Sequence, residues 1–225
     1  MNESVKNESS ALQIAELFSS IQGESTYAGR PCFFVRLSGC PYRCSYCDTL
    51  FAQDFAYGRE YSIDQIVDEA KKSGLPLVEI TGGEPLAQPN AVNLMQKLLD
   101  EGFEVMLETN GGFDISAVPQ QVKRILDCKL PSSRMADRNI FENYSHLTAR
   151  DEVKFVVGSR EDYDFALDVV KKFKLDSKTQ NLLISPVWGT VPFADIVAWI
   201  LEDNAPFHFQ LQMHKIIWGA DKQGV

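Results

Sequence analysis

The chain has 225 residues, an apolar fraction of 44% and a formal net charge of −9, enough for one packed domain and short for two. That acidity excludes a broad basic footprint for nucleic acid, whose phosphates are held by lysine and arginine, and points to a small-molecule ligand. No apolar run reaches membrane-spanning length and the polar start "MNESVKNESSALQ" lacks a signal-peptide apolar stretch, so a cytoplasmic protein with no membrane partner is expected.

Residues 1–11 read as a disordered lead-in and 12–225 as a single domain. Apolar runs rich in β-branched and aromatic residues then predict strands at 32–37, 75–80, 103–108, 124–130, 152–157, 181–187 and 207–212. Helical patterns fall between them. "SIDQIVDEAKKSG" carries a Ser62 cap and a closing Gly74, and "NAVNLMQKLLDEG" ends at Gly102. "REDYDFALDVVKKF" and "PFADIVAWILED" show the same periodic apolar face. Alternating strands and helices imply parallel βαβ units. About six strands are too few to close an eight-strand barrel. The expected fold is therefore α/β, a partial, open TIM-like barrel, with a doubly wound sheet as the alternative. In both, sites gather at the carboxyl ends of the strands. The aperiodic stretch 131–150 is expected to be a loop over that end.

"CPYRCSYC" places Cys40, Cys44 and Cys47, three of the five cysteines, just past a predicted strand. In a reducing compartment such thiols bind metal or do redox chemistry rather than form disulfides. Structural zinc usually takes four ligands, often from paired C-x2-C knuckles. No second knuckle exists, and His146, His208 and His214 are scattered. An iron–sulfur cube with one iron left open fits the three thiols better. Cys32 and Cys128 could supply a fourth ligand, but each lies inside a predicted strand.

C-x3-C-x2-C is the cluster motif of the radical S-adenosylmethionine enzymes, which this chain resembles. In that family the open iron takes the amino and carboxylate groups of S-adenosylmethionine, and reduction yields a 5′-deoxyadenosyl radical. The resemblance implies a 4Fe-4S cluster on Cys40, Cys44 and Cys47, with Tyr46 as the aromatic between the last two. "EITGGEP" (79–85) alone reads as an ordinary turn. Beside the cysteines it is similar to the family's GGE segment, with Gly82, Gly83 and Glu84 on the methionine moiety.

Within that superfamily the chain resembles the 7-carboxy-7-deazaguanine synthases. "ELFSSIQGES" (16–25) is similar to their E-x-F-x-S-x-Q-G-E-G signature, with Ser25 in place of the last glycine. "LETNGG", "DEVKFVV" and "LQMHKIIWG" are also similar. The resemblance implies substrate contacts at Ile21, Gln22, Gly23 and Thr81, and a carboxylate clamp at Arg36. From its own residues, Arg36 interrupts an apolar strand and fits either a ligand carboxylate or an internal salt bridge. The resemblance gives Tyr46, Cys47, Asp48 and Gly83 cofactor contacts and Thr49 a Mg2+ contact; composition alone reads Asp48 and Thr49 as a turn and helix cap. Asp127, Cys128 and Lys129 stand where the family often has Ser-Pro-Lys against S-adenosylmethionine, and only the lysine is shared. Glu108, Asn110, Lys154 and His214 sit at strand ends and are read as supporting groups.

The implied reaction converts 6-carboxy-5,6,7,8-tetrahydropterin to 7-carboxy-7-deazaguanine by radical ring contraction with loss of ammonia. It belongs to 7-deazapurine and queuosine synthesis, with S-adenosylmethionine regenerated. No protein side chain is assigned a catalytic role. The implied partners are the pterin, a reductant such as flavodoxin or ferredoxin, and a second copy in a homodimer, with no direct nucleic acid. The alternatives are a glycyl-radical activating enzyme, against which "IQGE" argues, and a non-enzymatic iron–sulfur redox sensor.

Overall fold

The computed structural model describes residues 11–225. The expected lead-in, apart from Ala11, lies outside the described residues. The strands are β1 (Ala11–Ile21), β2 (Pro31–Leu37), β3 (Arg59–Ser62), β4 (Leu77–Gly82), β5 (Glu104–Thr109), β6 (Lys123–Cys128), β7 (Glu152–Val157), β8 (Leu182–Pro186) and β9 (His208–Phe209). The helices are α1 (Ile63–Ser73), α2 (Ala91–Asp100), α3 (Arg160–Phe173), α4 (Phe193–Glu202) and α5 (Met213–Trp218). One nine-stranded sheet runs β3-β1-β2-β4-β5-β6-β7-β8-β9. The predicted apolar runs supply β2 and β4 to β9, which are parallel. β1 and β3 add an antiparallel edge.

All four longer helices pack on one face of the sheet; α1, α2 and α3 bury a broad apolar face there, whereas α4 buries Ile196 and leaves Phe193, Val197 and Leu201 exposed. Ile66 of α1, Leu94 and Leu98 of α2, Tyr163 of α3 and Ile196 of α4 share a core with Val35, Ile80, Leu107 and Phe155 of the strands. Each fully buried leucine or isoleucine contributes about 1.5–3 kcal/mol. A doubly wound sheet would carry helices on both faces. The one-sided cover therefore selects the open partial barrel. α1 starts on a reciprocal Ser62–Gln65 capping box and stops at Gly74 in the left-handed region.

The inner face of the sheet changes character along the strands. At the amino ends Cys32, Phe34, Leu77, Met106 and Ile125 form a small apolar floor, on which Phe18 stacks. One or two pleats further on, the same faces carry Arg36, Glu79, Thr81, Glu108, Asp127 and Lys154, which line a cavity. A buried charged residue inside a strand is costly unless paired, so this upper layer marks the site.

β1 was not signalled by any unbroken apolar run. A register shift between Ile14 and Glu16 explains why. Leu12 and Ile14 face the helix-side core, and after the bulge Leu17 does so while Glu16 and Phe18 turn into the cavity. The bulge inverts the alternation of sides and hides the strand from a period-two reading. β3 is short and largely exposed.

Candidate active site

A cavity of about 580 Å³ opens at the carboxyl ends of the parallel strands. Cys40, Cys44 and Cys47 lie in its wall on the loop after β2. Burial pushes the Cys40 and Cys44 thiols above their usual range. Cys32 belongs to the apolar floor at the far end of β2, and Cys128 belongs to the helix-side core. Neither reaches the three thiols. Among the described residues, no three His, Cys, Asp or Glu side chains converge on one metal ion. Three thiols on one loop, with no fourth cysteine beside them among the described residues, are the donor set that a cluster with one open iron takes.

The cysteine loop is fixed from two sides. The loop 131–150, expected over this end, braces it: Ser45 N–H donates to Ser133 O at 3.1 Å and the Tyr42 hydroxyl to Arg138 O at 2.6 Å. On the other side Gly83, the residue after β4, presses against it. A Cβ on Gly83 would lie 2.4 Å from Gly39 O and 2.5 Å from Ala52 O. Glycine there is a packing requirement, because any side chain would push the two loops apart. Glu84 is fully buried and does not line the cavity. It accepts from Leu86 N at 3.0 Å, Thr109 Oγ1 at 2.8 Å and Asn110 N at 2.7 Å, tying β4 to β5. Burial outweighs these bonds and raises its pKa to about 7.

Of the sequence-predicted residues, Tyr46, Asp48, Thr49, Gly83, Asp127 and Lys129 line the same cavity as the thiols. So do Gln22, Arg36 and Thr81. Ile21, Gly23 and Cys128 do not. Gly23 instead lets α5 dock: a Cβ there would sit 2.3 Å from His214 Nδ1. Met213 N–H donates to Gly23 O at 2.9 Å and Gln212 Nε2 to Glu24 at 2.8 Å. The "IQGE" and "QMHK" segments, far apart in sequence, are thereby one wall. Residues 220–225 also line the cavity.

Lys154 is the centre of its charge balance. It pairs with Glu24 at 2.9 Å and with Glu108, and reaches Asp127 at 3.9 Å. Burial works against the Lys154 ammonium, but Glu108 and Glu24 hold its pKa well above the usual range. Burial likewise opposes the Glu24 carboxylate, and Lys154 with the Gln212 bond pulls it down to about 2. Asp48 is also held at about 2, against burial, by Lys215 at 2.6 Å. Glu79 is the opposite case. Burial, then the charge of Glu108, raises its pKa well above the ordinary range, and Gln22 donates to it. Arg36 is paired after all: its Nε donates to Glu16 at 3.0 Å. Among the described residues no hydrogen bond uses its Nη groups, so the fork still faces the cavity unspent. Asp127 keeps one buried oxygen with no hydrogen-bond partner and pairs with Lys129 at 2.8 Å through the other. That free acceptor in the thiol-bearing cavity fits a bound polar cofactor.

Sequence reasoning missed Glu16, Glu79 and Lys215, and gave Glu24 and Lys154 no ligand role. Glu79 carried the same signal as Arg36, a charge inside an apolar strand run. Lys215 carried none, since only the fold brings it to Asp48.

The radical SAM superfamily model matches residues 34–187. A 7-carboxy-7-deazaguanine synthase from Koribacter versatilis is 40% identical, over 95% of this chain and 100% of its own. Another from Chlorobaculum tepidum is 39% identical, over 95% and 97%. The solved structure of QueE from Escherichia coli shares the fold, with a TM-score of 0.72 at 24% identity over 89% of this chain and 94% of that one. SuiB from Streptococcus suis, bound to S-adenosylmethionine, shares it with a TM-score of 0.53 at 15% identity, over 76% and 44%. With the thiols, the glycine-rich loop and the cavity on one sheet end, these matches place the chain in the radical SAM superfamily and, within it, in the family of the 7-carboxy-7-deazaguanine synthases.

Proposed function

We propose that this chain converts 6-carboxy-5,6,7,8-tetrahydropterin to 7-carboxy-7-deazaguanine with release of ammonia, in 7-deazapurine synthesis. The observation that carries the reading is the charged layer of the cavity, set directly beside the three thiols. The curated relatives' shared name supports the same product. A cluster on Cys40, Cys44 and Cys47 with S-adenosylmethionine supplies, when bound, the hydrogen-atom abstraction that such a rearrangement requires.

The protein's own part is recognition and enclosure. The unspent Arg36 fork suits the substrate carboxylate, since a planar guanidinium matches it with two parallel bonds. Glu24, held low by Lys154, accepts from ring N–H groups, whereas Glu79, whose pKa burial raises, takes up a proton more readily and in that form donates an O–H. The two acids thus offer opposite hydrogen-bonding characters to one heterocycle. Trp188 and residues 220–225 stand at the cavity and limit water. Asp127 and Lys129 are the polar wall assigned to S-adenosylmethionine, with Tyr46, Asp48 and Gly83.

Thr49, beside anionic Asp48, is assigned to Mg2+. Its hydroxyl donates to Asp48 at 3.1 Å. Magnesium takes oxygen ligands and bridges readily to an anionic ligand. Thr49→Ala should raise the Mg2+ concentration for half-activation by about tenfold or more, with iron content unchanged. Unaltered Mg2+ activation would remove the assignment. A flavodoxin or ferredoxin donor and a homodimer belong to the same proposal. The dimer is supported by the exposed stripe of Phe193, Val197 and Leu201 along α4. Among the described residues no helix is long and apolar enough to cross a membrane.

The test is anaerobic turnover of the reconstituted protein with S-adenosylmethionine, Mg2+, a strong reductant and the carboxytetrahydropterin. Many deazaguanine products per S-adenosylmethionine are expected. Release of 5′-deoxyadenosine without that product would overturn the substrate. A loaded cluster with no cleavage would overturn the enzyme reading in favour of a sensor.

A further inference from the structure

The three cysteine sulfurs are not equivalent. Cys40 Sγ receives two N–H groups, the backbone amide of Tyr42 at 3.4 Å and the side-chain amide of Asn110 at 3.7 Å. Among the described residues no N–H or O–H donates to the sulfur of Cys44 or Cys47. The Tyr42 bond is local to the loop. The Asn110 bond comes from the end of β5, seventy residues away.

Asn110 is held in this pose at both ends. Its backbone N–H is fixed by buried Glu84 at 2.7 Å. Its Oδ1 accepts from Gly112 N–H at 2.9 Å. That second bond settles the orientation of the amide, since an N–H needs the oxygen facing it. The Nδ2 group is left pointing at the sulfur. Glu84 also donates its own N–H to Gly39 O at 2.8 Å, one residue before Cys40. A single buried carboxylate residue therefore registers the β5 end against the cysteine loop. Asn110 itself is buried in the cavity wall. A structural asparagine would be expected to spend both amide functions on backbone; this one spends its donor on a thiol.

We propose that Asn110 is a positioning residue of the iron–sulfur site, whose side-chain N–H holds the Cys40 sulfur and raises the reduction potential of the cluster. The inference rests on the reading of Cys40 as a cluster ligand. Reduction adds charge that spreads onto the ligand sulfurs. A fixed N–H dipole aimed at a sulfur stabilises the reduced state more than the oxidised one, and hydrogen bonds to sulfur are an established lever on these potentials. Burial strengthens the effect, because water is not there to screen it.

The experiment is an EPR-monitored reductive titration of the anaerobically reconstituted protein, without S-adenosylmethionine. Asn110→Ala removes both amide functions. Asn110→Asp keeps the acceptor for Gly112 and loses the donor. Both are expected to load a full cluster with a midpoint more negative than wild type, the aspartate at least as far because of its charge. An unchanged or more positive midpoint in either loaded variant overturns the proposal. A readout on wild type covers the case in which neither variant loads. Protein grown with heavy-nitrogen asparagine should show a weak label coupling to the reduced cluster in pulsed EPR. A loaded, reduced cluster without that coupling overturns the proposal alone; a wild type that retains no iron overturns the ligand reading beneath it.

Discussion

Cys44→Ala is expected to reduce 7-carboxy-7-deazaguanine formation to background while the protein still folds. Cys44 is only half-buried and makes no side-chain hydrogen bond among the described residues. Removing one sulfur there costs about 1 kcal/mol or less in stability. The thermal midpoint should scarcely move. Iron retained after reconstitution and gel filtration should fall sharply, because two thiolates cannot hold a cube that already lacks its fourth protein ligand. The same loss is expected at Cys40 and Cys47. Sustained turnover with Cys44→Ala would remove it from the ligand set. Loss of the fold instead would mean that the thiol is structural.

Lys154→Met is expected to damage stability and activity together. Lys154 is buried against Glu24 and Glu108, with Asp127 behind. Methionine keeps the volume and removes the charge. Breaking a buried pair by deleting one partner costs about 3–5 kcal/mol, because the remaining charge is left unpaired. For a chain of this size that is a fall in thermal midpoint on the order of 10 °C. The pH dependence identifies the cause. Glu24 has its pKa lowered from 4.5 to about 2 in the folded protein. A lowered carboxylate pKa contributes stability above pH 4.5 that is lost as pH falls toward 2. The variant lacks that contribution at neutral pH, since its acids must take up protons to remain buried. The stability gap between wild type and Lys154→Met should therefore narrow below pH 4.5. A gap of equal size at pH 3 and pH 7 would show a packing effect and no charge network.

The strands and helices that stack in the main core were legible because their pattern is local. α1 and α2 are periodic, and the capping chemistry of α1 lies within the same few residues. The three thiols were legible as a group because they fall in one short segment just past a strand. Arg36 was legible as an anomaly, a charge inside "CFFVRL", and Glu79 in "LPLVEI" was the same anomaly passed over. β1 was hidden because its alternation inverts at the bulge after Ile14. The resemblance assigns all three of Asp127, Cys128 and Lys129 to the cofactor because together they stand where the family has its Ser-Pro-Lys segment, yet neighbours in a strand point to opposite faces. Asp127 and Lys129 face the cavity and Cys128 faces Tyr144 and the helix layer.

The amino-acid order alone was enough for the α/β fold, the cysteine loop and the glycine-rich loop after it. The two loops are each written within about ten consecutive residues, and each strand or helix of the fold within a segment hardly longer, where backbone geometry and spacing suffice. Which acid meets which base was settled by the folded chain. Glu24 and Lys154 are 130 residues apart, Asp48 and Lys215 are 167, and Cys40 and Asn110 are 70. Electrostatics and hydrogen bonding depend on distance in space and on burial. Neither is defined for a charged residue until the sheet has brought the strand ends together.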